Sequence, residues 1–102
     1  MPTTETNARV IKAPEIFGLE VRSVFRDAAI ALLGEMTTNG GALMIDFAET
    51  KRIDSAGLGA LMLVQRKAAE REQRVVLRNL RDEFRFLLVL TKLDDLFEIE
   101  AK

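Results

Sequence analysis

Apolar and polar positions change their period several times along this chain, and each change marks an element. Ala8-Arg9-Val10-Ile11-Lys12-Ala13 predicts a first strand, closed by Pro14, whose missing amide hydrogen keeps it out of a central ladder. From Leu19 the period becomes helical: Val21, Val24, Phe25, Ala28, Ala29, Leu32, Leu33 and Met36 recur at i, i+3, i+4, i+7 and predict the longest helix. Thr37-Thr38-Asn39-Gly40-Gly41 stops it, with glycine expected to supply the left-handed helix end. Ala42-Leu43-Met44-Ile45-Asp46-Phe47 is apolar on both faces apart from Asp46, as a central strand covered on one or both sides would be. After the polar loop Ala48-Glu49-Thr50-Lys51-Arg52 comes Ile53, and then a second helix with Leu58, Leu61, Met62, Gln65, Ala68, Ala69 and Glu72 on one side. Arg74-Val75-Val76-Leu77-Arg78 predicts a strand, Asp82 to Lys92 a short helix, and Leu96-Phe97-Glu98-Ile99 a last extended piece.

Strands therefore alternate with helices, which predicts an α/β domain in which a small sheet carries helices, with right-handed crossovers between parallel neighbours. Met1-Pro2-Thr3-Thr4-Glu5-Thr6-Asn7 is polar and lacks an apolar core behind a basic start, so residues 1–7 are expected to be a disordered lead-in and not a secretory signal. Residues 8–102 are expected to form one domain. The uncharged stretch from Ser55 to Gln65 falls short of the roughly 18 to 20 apolar residues of a membrane span, so no membrane insertion is expected.

Composition then removes whole classes of chemistry. The 102 residues include no His, Cys, Trp or Tyr, which excludes Ser-His-Asp and Cys-His catalysis, thiolate zinc sites and disulfides. Carboxylate-only sites need a metal or two facing acids, and no pair has that spacing. The expectation is a binding or signalling module without cofactor or metal, not an enzyme. With 15 basic and 16 acidic residues the net charge is −1, so nucleic acid is not an expected partner. The lack of cysteine is compatible with a cytoplasmic location.

The candidate chemistry lies in Ile53-Asp54-Ser55-Ala56-Gly57-Leu58-Gly59, where a serine falls on the first turn of a helix directly after a strand. One reading is a helix start, with Ser55 or Asp54 capping the free amides. The other is a hydroxyl that receives a phosphate or meets a partner. Gly57 and Gly59 cost up to about 1 kcal/mol each in a helix relative to alanine, which suggests close approach of something to the backbone. Leu58 between them reads equally as a partner contact or as a core leucine. A phosphate on Ser55 would bring about −1.5 to −2 charges to a helix N-terminus, where amides and the dipole favour an anion. Lys51 and Arg52 read either as cations that would soften its repulsion of a partner or simply as residues of a solvated loop. Asp46, near the C-terminal end of a central strand, sits where open sheets place ligands, or else caps a nearby loop. Asp94, Asp95, Glu98 and Glu100 read as surface charges.

Taken in order, Leu43 to Phe47, Ile53 to Leu61, Val75 to Asn79, Leu87-Leu88 with Thr91-Lys92-Leu93, and Leu96 to Ile99 resemble the STAS domain of anti-sigma factor antagonists, over about residues 8 to 101. The resemblance implies a small mixed central sheet of four to five strands with helices packed on it. It also implies that Ser55, which follows Asp54 in the Asp-Ser-x-Gly-Leu turn, is phosphorylated by an ATP-dependent anti-sigma factor kinase and restored by a serine phosphatase. Unmodified, such an antagonist binds the anti-sigma factor and releases the sigma factor; phosphorylated, it lets go. Asp46, Asp54, Ser55, Ala56, Gly57 and Leu58 would then meet the partner, and the domain would catalyse nothing itself.

Two positions depart from the family pattern. Glu15-Ile16-Phe17-Gly18 replaces a Gly-x-Leu-Asp turn, so the N-terminal strand region is expected to be shortened and a kinase-contacting aspartate is replaced by Gly18. Ala56 replaces a second hydroxyl and leaves Ser55 as the acceptor in the turn. STAS-like domains also serve as constitutive subunits of lipid-transport ATPase complexes and stress-sensing scaffolds, where the serine turn docks without a phosphate.

Overall fold

Six strands and three helices alternate through residues 7–100, the part of the chain that the computed structural model describes. They are β1 (Ala8–Lys12), β2 (Ile16–Phe17), α1 (Arg22–Glu35), β3 (Ala42–Asp46), β4 (Arg52–Ile53), α2 (Ser55–Glu70), β5 (Arg74–Arg78), α3 (Asp82–Leu90) and β6 (Glu98–Ile99). A 3-10 turn over Asp94–Leu96 precedes β6. Most of the proposed lead-in lies outside the described residues; Asn7 does not, and its side-chain oxygen accepts hydrogen bonds from the Thr37 amide at 3.0 Å and hydroxyl at 2.6 Å.

The main sheet has the order β1-β3-β5-β6, and β2 and β4 form a separate two-stranded sheet. This is the α/β architecture expected, a four-stranded sheet carrying helices. The resemblance implied a mixed sheet, whereas all of these pairings are parallel, because each return to the sheet is made through a helix-bearing crossover. Register puts Ile11, Ile45, Leu77 and Ile99 in one row and Val10, Met44, Val76 and Glu98 in the next. Leu43, Ile45, Val75 and Leu77 are buried beneath the helices. The other row faces out: Val10 is 54% exposed, and this face carries the ion pairs Arg74–Glu98 and Arg78–Glu100. The β3 strand is thus covered on one side.

Phe25, Ala29 and Leu33 of α1 meet Leu61, Val64 and Ala68 of α2 in one core with Phe17 and Phe47. Val24, expected inside, is 74% exposed, because the stripe that meets the sheet is the narrower row i, i+4, i+8. On α2 the buried stripe is Gly57, Ala60, Leu61, Val64 and Ala68, rotated from the predicted side, so that Met62 is exposed. The end of α1 also differs from expectation: Met36 is extended, and Asn39 and Gly40 take positive φ only later in the turn. Its last carbonyls, which have no partner within a helix, are met instead by buried Gln73, whose amide donates to Leu33 at 3.1 Å and to Thr37 at 2.9 Å.

Candidate functional site

The loop before α2 is held by β2. The Lys51 amide donates to the Glu15 carbonyl at 2.7 Å and the Asp54 amide to the Phe17 carbonyl at 3.1 Å, on either side of the β2–β4 pair. Glu15-Ile16-Phe17-Gly18, expected only as a shortened remnant, therefore forms the strand that fixes the serine turn. Gly57 is where the two meet, since a Cβ there would overlap the Phe17 carbonyl oxygen and lie 2.9 Å from its carbon. The close approach inferred for Gly57 is thus made by the chain itself.

Of the two possible caps, Asp54 is the one used. Its Oδ1 accepts from the amides of Ala56 at 2.8 Å and Gly57 at 3.1 Å, satisfying two donors of the first turn. The other oxygen of this carboxylate lies over Gly18, where any Cβ would collide with it. Gly18 is thereby accounted for: a side chain there would displace the cap.

Ser55 is left exposed at the first helical position, and its hydroxyl has no hydrogen-bond partner among the described residues. Leu58 packs, half-buried, against the core. Of the two loop cations, Lys51 is engaged with Glu15 at 2.9 Å. Ser55 and Ala56 open onto a furrow of about 430 Å³ between α1 and α2, floored by Gly59 and Ala60 and lined by Leu63, Arg22, Arg26 and Arg66. Sequence reading passed over these arginines because they come from two helices. The signal that pointed there was Gly59, for which a Cβ would meet nothing within 4 Å.

Asp46 is not part of this surface and lines a separate small recess with Lys12, Ala48 and Glu49. It accepts from the Asn79 side-chain amide and from the Ala48 amide, each at 2.9 Å, the loop-capping role that was one of its two readings. The Asn79 bond, then the Ala48 bond, with Arg78 and Lys12 adding to them, hold its carboxyl below the ordinary value of 3.8 against a smaller opposing effect of burial. A folded-state value below the unfolded one gives stability that is present above the unfolded value, about 3.9, and lost as pH falls through the folded one. Asn79→Ala is accordingly expected to lower the urea midpoint at pH 7, with the difference from wild type shrinking towards pH 2.

Among the described residues no helix is long and apolar enough to cross a membrane. A family model described as "Mlab, STAS domain" matches residues 2–98. No curated protein matches the chain.

Proposed function

Because the chain belongs to the STAS domain family, we propose that it is a partner-switching regulator, an anti-sigma factor antagonist acting in the cytoplasm through the Ser55 turn. Unmodified, it binds an anti-sigma factor serine kinase; once the kinase has used ATP to phosphorylate Ser55 it is released, and a serine phosphatase resets it. The domain is a protein substrate and performs no catalysis. The observation that carries this reading is the division of labour in the turn: Asp54 does the capping, which leaves the Ser55 hydroxyl exposed and uncommitted. A phosphate there would meet the positive end of α2 and leave the fold intact.

A second reading, a constitutive subunit of a lipid-transport ATPase complex or a stress-signalling scaffold, draws support from Gly18. The aspartate that the resemblance associates with the kinase is missing, and the Asp54 carboxylate fills its place. The two readings separate on incubation of the purified protein with host lysate, Mg²⁺ and ATP, followed by intact-mass measurement and site mapping. Partner switching predicts one phosphate on wild type and none on Ser55→Ala. No phosphate in a lysate active on another substrate would reject it in favour of the constitutive subunit.

A further inference from the structure

The furrow between α1 and α2 has a composition unlike the rest of the surface. The chain as a whole is nearly neutral, with 15 basic and 16 acidic residues, yet the furrow is lined by three arginines and no carboxylate. Arg26 leans on its neighbour Asp27 at 3.1 Å, while among the described residues Arg22 and Arg66 make no ion pair. The floor is also unusual. Nothing in the domain requires glycine at 59, in contrast to Gly57, and with Ala56 and Ala60 beside it the helix backbone lies open to an incoming surface. Met62, 38% exposed, and Leu63 supply an adaptable apolar wall. From Ser55 to Arg66 the furrow follows about 16 Å of helix axis, roughly three turns.

We propose that this furrow receives an amphipathic helix of a partner protein, with small or apolar residues seated on Gly59 and flanking carboxylates paired with Arg22 and Arg66. A helix fits better than a small anion because the arginines are spread over both walls and several turns, and the apolar floor between them offers an anion nothing. The inference rests on the reading of the Ser55 turn as a docking point only in that the furrow ends there; it requires no phosphate.

The test uses the purified full chain, labelled with ¹⁵N, and two synthetic 18-residue helical peptides with the same Ala/Leu strip, flanked by Glu in one and Lys in the other. The acidic peptide is expected to shift the amides of Ala56, Gly59, Ala60 and Leu63 and the Nε signals of Arg22 and Arg66, and the basic peptide to leave them unmoved. Its Kd should rise tenfold or more in the Arg22→Ala/Arg66→Ala double variant. Gly59→Leu should weaken binding as much without lowering the melting temperature, because the added side chain enters open space. Equal responses to both peptides, shifts centred elsewhere, or unchanged affinity in Gly59→Leu would overturn the proposal. Competition by inorganic phosphate that moves only the arginine signals would replace it with a small-anion site. None of these outcomes depends on whether a kinase modifies Ser55, so this inference and partner switching fail separately.

Discussion

Gly57→Ala is expected to cost about 2 kcal/mol of stability, whereas Gly59→Ala, two residues further along the same helix, should gain up to about 1 kcal/mol. At position 57 the new methyl would overlap the Phe17 carbonyl oxygen, a backbone atom tied into β2 that cannot rotate away. Overpacking of that kind costs up to about 3 kcal/mol, and the better helix propensity of alanine returns about 1. At position 59 the methyl meets nothing within 4 Å, so only the propensity gain remains. For a domain of this size the loss corresponds to roughly 10 °C in melting temperature. Thermal and urea unfolding of both variants would check it, and a Gly57→Ala protein as stable as wild type would mean that β2 does not hold the serine turn.

Ser55→Glu, or phosphoserine encoded at the same position, is expected to weaken binding to the cognate kinase by a hundredfold or more. A fixed negative charge would enter the interface beside Asp54, and burying it without a counter-charge costs several kcal/mol, at 1.4 kcal/mol per tenfold. Stability should hardly change, since a negative charge in the first turn of a helix is favourable by about 0.3 to 1 kcal/mol. Calorimetric titration of the kinase with wild type, Ser55→Ala and Ser55→Glu, alongside melting curves, separates a lost contact from a lost fold. Ser55→Glu binding as tightly as wild type would end the partner-switching reading.

Much of the fold was legible because the strong periods are local. β1, β3, β5 and the three helices fall within a few residues of the segments that alternation and i, i+4 spacing mark out. What escaped was decided by tertiary contact. Gln73 carries no capping signature in its own neighbourhood, yet its amide closes a helix that ended some forty residues earlier. Ile16 and Phe17 are too few to show a period, and their strand exists because Arg52 and Ile53 lie beside them. The same holds for the site. The serine turn could be read from Asp54-Ser55-Ala56-Gly57, but which of Asp54 and Ser55 caps depended on Gly18 leaving room for a carboxylate. Asp46 shared the strand-end signal, and its tie to the Asn79 turn could not be read from its own neighbourhood.

The order β1-β3-β5-β6 is also the order of synthesis. No strand of the main sheet has to be inserted between two that are already paired, so each docks on the open edge left by the one before it. A chain leaving the ribosome from its N-terminus can add its parallel pairs one at a time as each crossover helix emerges. Long-range closures that would otherwise slow an all-parallel sheet are thereby divided into short steps, each ending on a surface already built.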